Sequence, residues 1–149
     1  MNSEESCLFC KMIRGERGAL VVYESGASFV FLDHRPLFPG HCLLAPRRHY
    51  ETLMDVPREE LEPIFFDVQL VSRAVERALG ADGVFVAINN RISQSVPHLH
   101  VHIVPRSRGD GLKGFFWPRH PYGSDGEAEE IRKKLSDAIE EIKGGPGRK

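Results

Sequence analysis

The chain has 149 residues, with 20 Lys+Arg against 21 Asp+Glu and a formal charge of −1. That length suits one domain with a sizeable core, and the balanced charge gives no field that would select nucleic acid or an anionic membrane. No apolar run reaches the roughly 18–20 residues of a bilayer span, the opening MNSEESC is too polar and acidic for a secretory signal, and three cysteines, an odd number, fit reduced cytosolic thiols better than a disulfide framework. A cytoplasmic protein without nucleic-acid or membrane partners is expected.

In chain order, Cys7-Leu8-Phe9-Cys10 is a C-x₂-C pair. The spacing can put two thiolates on one tetrahedral ion, but a redox pair or two buried cysteines fit it as well. Leu20–Ser25 and Ser28–Asp33 are apolar, β-rich runs joined through Gly26 and read as a hairpin. A turn-rich loop, Arg35–Gly40, leads to a short strand at His41–Pro46. A long helix follows, with Asp55 as N-cap and Pro57 in the first turn, where its missing N–H costs least. Leu61, Ile64, Phe65, Val68, Val71 and Val75 form its core-facing stripe, and Gly80 is placed to end it. Gly83–Asn89 reads as a strand and Asp125–Lys143 as a charged surface helix. One long helix beside about five strands gives an α+β fold with an antiparallel sheet. A single domain over 1–143 and a disordered tail over 144–149 are expected.

The segment SQSVPHLHVHIVPR, from Ser93 to Arg106, spaces three histidines two apart, at His98, His100 and His102. β-Branched residues alternate with them, so the segment reads as a strand with Leu99, Val101 and Ile103 toward the core and the imidazoles in a row on the opposite face. Three groups that titrate near neutral pH in one register are a poor choice for a merely solvated face.

The pattern His-φ-His-φ-His-φ-φ, with φ apolar, resembles the signature of the histidine triad family. CLFCKMIRGE, FVFLDHRPLFPGHCLLAPRRHYETL and QSVPHLHVHIVPR resemble that family in the right order and together cover most of Cys7–Arg106. The resemblance implies a purine-nucleotide hydrolase or transferase whose sheet continues across a homodimer. It places the nucleophile at His100, with His102 and His41 on the α-phosphate. Ser95 would relay a proton to the leaving group, Gln94 would position a phosphate oxygen or water, and Asn89 would donate to a phosphate. Asp33 would bind the ribose, and Phe31, Leu8, Phe9 and Met12 would frame the base. In zinc-bearing relatives the cysteine pair is joined by two histidines, which implies a structural zinc ion on Cys7, Cys10, His49 and His98 and no organic cofactor. The sequence departs from its relatives in a short loop, Asn90–Ser93, with serine at a usual glycine position, in His34 at a usual apolar position, and in a long segment, Ser107–Tyr122, that carries Trp117-Pro118.

A neutral imidazole is a good nucleophile at pH 7 and its phosphoramidate hydrolyses readily, so a two-step route through nucleotidyl-His100 is chemically natural. The leading expectation is cleavage of nucleoside 5′-phosphoramidates or related adenylates. A dinucleoside polyphosphate hydrolase shares the triad and differs in leaving group. A catalytic metal on the triad lacks a carboxylate at ligand spacing. A non-catalytic nucleotide-binding regulator is weakened by the presence of the nucleophile and both neighbouring histidines.

Overall fold

Five short runs rich in β-branched and aromatic residues pair into one antiparallel sheet. They are β1 (Val21–Glu24), β2 (Ser28–Leu32), β3 (Cys42–Pro46), β4 (Gly83–Ile88) and β5 (Val101–Arg106), in spatial order β1-β2-β3-β5-β4. Among the described residues four helices accompany them: α1 (Ser3–Ser6), α2 (Leu8–Ile13), α3 (Arg58–Leu79) and α4 (Asp125–Gly144). The computed structural model describes residues 3–112 and 120–144. The chain divides into two units, Met1–Gly111 and Leu112–Lys149. Among the described residues, no helix is long and apolar enough to cross a membrane.

The sheet is apolar on both faces. On one face Ile64, Val68, Val71 and Val75 of α3 meet Val30, Leu44, Leu99, Val101 and Ile103. On the other, the N-terminal helices bring Cys7, Phe9 and Cys10 onto Phe29, Phe31, Leu43 and Ala45. With a core on each side, β3 is buried at every position and no longer shows a two-residue alternation. Full burial of each large side chain is worth about 1.5–3 kcal/mol. Burial of the cysteine pair agrees with one of the readings of its spacing, but the helices α1 and α2 that carry it were not expected, being too short to show a helical period.

Helix α3 ends as expected, with Gly80 left-handed at φ 62°. Its start and its stripe differ from expectation. Pro57 forces Val56 into an extended conformation, ψ 124°, so helix begins only after the proline. Asp55 therefore does not cap α3. It closes a 3-10 turn at Leu53–Asp55, accepting from Thr52 N–H at 2.8 Å and from the Thr52 hydroxyl at 2.7 Å. Phe65 is 42% exposed rather than core, because the buried stripe runs through its neighbour Ile64.

Strand β5 is also shorter than expected. Both of its ladders stop at Val101, opposite Leu44 and Ile88. His98, Leu99 and His100 lead into the strand instead, held by bonds of another kind, such as Leu99 N–H to Tyr50 C=O at 2.6 Å. The alternation of faces persists through them. Leu99, Val101 and Ile103 enter the α3 core, while His98 and His100 are buried without joining it.

In the second unit α4 carries ion pairs along its exposed surface, among them Arg132–Glu129, Lys133–Asp137 and Lys134–Glu130. Solvent screens each of them, so they add little to stability. Gly144, the first residue of the expected tail, is the last residue of α4; the rest of that tail and Trp117-Pro118 lie outside the described residues.

One polar clamp ties the β1–β2 turn to α3. Ser25 Oγ donates to the buried Asp67 carboxylate at 2.6 Å and accepts from the N–H groups of Ala27 and Ser28. Ser25→Ala leaves that carboxylate short of a partner and is expected to cost about 1–3 kcal/mol in denaturant unfolding. In a double-mutant cycle with Asp67→Ala the double variant should lose clearly less than the sum of the two single losses; full additivity would show that the clamp is not one interaction.

Candidate functional site

Three groups of side chains meet on the face of the sheet covered by the N-terminal helices. The first is sulfur and nitrogen. His98 Nδ1 lies 3.4 Å from Cys7 Sγ and 3.5 Å from Cys10 Sγ, and His49 Nδ1 lies 3.3 Å from Cys10 Sγ. A tetrahedral ion bonded to sulfur and to imidazole would hold such atoms about 3.5 Å apart. The cluster can therefore hold a metal ion with little movement. The tautomer is already correct: His98 Nε2–H donates to the Pro46 carbonyl at 2.8 Å, which leaves Nδ1 unprotonated toward the thiols. Burial, reinforced by Cys7, pushes the Cys10 thiol up to about 12. A divalent cation reverses that by binding thiolate directly. A cavity of about 340 Å³ lined by Cys10, His49, Arg14 and Arg47 leads to the cluster.

The second group surrounds His100. Its Nδ1–H donates to the carbonyl of His98 at 2.8 Å, so Nε2 carries the free lone pair. The Phe9 ring stands edge-on to His100, His98 and Phe31, with centroids 5.2, 5.8 and 5.2 Å away. One aromatic side chain, sitting between the two cysteines in sequence, thus touches both the metal-type cluster and the nucleophile candidate. Burial holds His100 below the ordinary imidazole range, opposed by its bond to His98 and by Asp33.

The third group is His41, His102 and Asp33. His41 Nδ1 accepts from Leu37 N–H at 3.2 Å, which puts the ring proton on Nε2. That proton faces His102 Nδ1 at 3.0 Å, leaving His102 to carry its own proton on Nε2. A backbone amide therefore sets two tautomers in series. Burial first, then the neighbouring His100 and His41, lower His102 to about 4. Burial lowers His41 as well, partly offset by Asp33. Asp33 lies 3.7 Å from His41, and its side chain is 14% exposed. Near pH 7 the imidazoles are neutral, each with a defined donor and a defined acceptor.

Gly40 precedes His41 and is fixed twice over: φ is +96°, and a side chain there would run into Leu79 at the end of α3. His102 faces Leu43 and Ala87 across its two ladders, and this register brings it beside His41.

The structure thus brings together His41, His98, His100, His102, Asp33, Phe9, Phe31, Cys7, Cys10 and His49, with Leu8 and Met12 partly buried against the same cluster. The loop after β4 differs. Gln94 uses its amide within the loop, accepting from Arg91 N–H at 2.7 Å and donating to Glu51 C=O at 2.6 Å. Ser95 is exposed and Asn89 partly exposed. It is Asn90, not Asn89, that accepts from Leu53 N–H at 2.8 Å. Arg91 and Ser93 hold positive φ of 68° and 58° without being glycine. Sequence reading missed the backbone groups of Leu37, Pro46 and His98, and no residue-type signal marks them.

A profile of the HIT domain matches residues 14–109. Adenylylsulfatase HINT3 of Arabidopsis thaliana is 35% identical over 93% of this chain and 74% of its own. Adenosine 5′-monophosphoramidase hnt1 of Schizosaccharomyces pombe is 30% identical over 90% of this chain and 98% of its own. Among solved structures, a Zn-bound histidine triad family protein from Mycobacterium smegmatis matches with a TM-score of 0.69 at 33% identity, covering 92% of this chain and 98% of that one. The domain match spans all five strands and ends just past the three alternating histidines, so the chain belongs to the HIT, or histidine triad, family.

Proposed function

We propose that the protein hydrolyses nucleoside 5′-phosphoramidates and related adenylates through a nucleotidyl intermediate on His100. The observation that carries this reading is the bond from His100 Nδ1–H to the His98 carbonyl, 2.8 Å long, which leaves Nε2 of a buried ring unprotonated. Nε2 attacks the α-phosphorus, the bond to the leaving group breaks with its electron pair going to that group, which takes a proton relayed from solvent by the exposed Ser95, and a nucleotidyl-imidazole forms. Water then cleaves the new P–N bond and returns the ring. His102, with its proton on Nε2, donates to a non-bridging oxygen, and His41 holds His102 in that tautomer. Asp33 receives the ribose hydroxyls, and Phe9, Phe31 and Leu8 offer the base an apolar wall. Gln94 in this reading shapes the loop. The curated relatives named as a phosphoramidase and an adenylylsulfatase support an α-phosphate reaction with a variable leaving group.

Cys7, Cys10, His49 and His98 hold a structural zinc ion in this reading. The donor set and its spacing support it, as does the Zn-bound relative. Four protein ligands leave no open position, so the ion cross-links the N-terminal helices to the sheet and takes no part in the reaction. The chain acts as a homodimer. Among the described residues strand β4 is the outer strand of the sheet, and Val86 on it and Phe65 and Leu70 on α3 are 43%, 42% and 41% exposed. A two-fold mate would pair that edge and cover that surface.

His100→Ala is expected to lose turnover by several orders of magnitude while AMP still binds in calorimetry. Wild-type protein quenched early with adenosine 5′-phosphoramidate should yield a His100 peptide carrying adenylate. Near-normal turnover of the variant, or an adduct on another residue, refutes the mechanism. A parallel panel with an acyl adenylate, adenosine 5′-phosphosulfate and a dinucleoside tetraphosphate ranks the leaving groups. Elemental analysis of protein purified without added metal should find about one zinc per chain, and joint replacement Cys7→Ser and Cys10→Ser should lower the melting temperature more than it slows the chemical step. Stability unchanged by metal removal would count against the structural ion. Light scattering at micromolar concentration should give twice the chain mass, and Val86→Glu should shift it to the monomer; a wild-type monomer would end the dimer reading.

A further inference from the structure

The catalytic half of the site contains a second donor set. One ring nitrogen each from His41 and His102 and one carboxylate oxygen of Asp33 lie within 4.8 Å of one another. The donors are nitrogen and oxygen only, which separates them from the thiolate-containing cluster around His98. Two imidazoles with one carboxylate suit late first-row divalent ions, whereas Mg²⁺ prefers an all-oxygen shell.

Distance narrows the choice further. His41 Nε2 and His102 Nδ1 are 3.0 Å apart. If each were bonded to one ion at about 2.0–2.1 Å, they would meet it close to a right angle; a tetrahedral ion would hold them about 3.3 Å apart. A near-right angle is the angle between neighbouring positions in octahedral or square-planar coordination. His41 is buried and the Asp33 side chain is 14% exposed, so the set lies inside the site rather than on the outer surface. The sequence concealed it, since Asp33 stands 69 positions from His102 and comes near only through the β2–β3–β5 ladders.

The geometry points to a second, weaker divalent-metal site at Asp33, His41 and His102, where a late first-row ion occupies the phosphate subsite and inhibits the protein reversibly. The ion displaces the hydrogen that His41 Nε2 donates to His102 Nδ1 and sits to one side of the line between the two nitrogens. That proton moves to His41 Nδ1, which then no longer accepts from Leu37 N–H. Only coordination bonds form, and nothing is oxidised or reduced. The lost backbone hydrogen bond and the absence of thiolate make this site weaker than the Cys/His cluster, so its ion comes and goes. Its inhibitory consequence rests on the proposed role of His41 and His102 toward phosphate; the binding of the ion does not.

The test is a titration of Co²⁺ and Ni²⁺ into protein as purified, after its resident metal has been counted. A second equivalent should bind in calorimetry, with the weak visible absorption of a six-coordinate nitrogen–oxygen cobalt ion and no thiolate-to-metal band. Asp33→Ala and His102→Gln should each weaken it at least tenfold, Mg²⁺ should not compete, and AMP should lower its apparent affinity. Adenosine 5′-phosphoramidate turnover should fall in step with occupancy. The inference is overturned if no second equivalent binds, if its affinity is unchanged in Asp33→Ala, or if the second cobalt shows a thiolate band. Should His102→Gln fail to fold, Asp33→Ala decides alone. Should the protein not turn over phosphoramidate at all, the proposed activity fails while the metal titration still decides this site.

Discussion

One buried hydrogen bond organises the site: His98 Nε2–H to the carbonyl of Pro46, 2.8 Å long inside a wholly buried ring. It fixes the tautomer of His98, and that tautomer turns Nδ1 toward Cys7 and Cys10. It also holds the backbone of residue 98, whose own carbonyl accepts from His100. A group that serves a metal-type cluster through its side chain therefore serves the nucleophile candidate through its main chain. Pro46 suits the part. It ends β3, and the β5 ladder starts only at Val101, which leaves space for a side chain to reach the proline carbonyl.

The same economy recurs at His41, where the Leu37 amide sets the proton position of one imidazole and through it that of the next. Neutral imidazoles in a buried row would otherwise be ambiguous, since either nitrogen can carry the proton. Burial keeps them neutral, which removes the repulsion that a row of imidazolium ions would suffer. The arrangement trades charge for direction, and direction is what the proposed in-line attack on phosphorus would require.

Much of this was legible in the residues. The period of α3, its end at Gly80 and the β1–β2 hairpin follow from apolar spacing and turn chemistry. The alternation at His98, His100 and His102 survives even where the strand does not, because it depends on extended backbone rather than on a ladder. Backbone-mediated features were not legible. A carbonyl such as that of Pro46 or an amide such as that of Leu37 is common to every residue type, so only the fold reveals its partner. Asp55 misled because its side chain suits a cap in either of two helical turns, and Pro57 decided between them. Gln94 shows the limit of motif transfer. The loop here is short and lacks glycine, so Arg91 and Ser93 sit at positive φ, and the glutamine amide closes the loop on itself and on Glu51.

The strand order bears on how the chain reaches this state. β1, β2 and β3 are neighbours in sequence and in space, so they can form as a local meander, but β5 must cross back beside β3 after α3 and β4 have been made. His41 belongs to the early part and His98, His100 and His102 to the late one. Loop closure over that distance is entropically unfavourable and slow compared with hairpin formation. The histidines of the early and late parts are therefore brought side by side only where β5 pairs with β3, so the site is a property of that one ladder and of neither part of the chain alone.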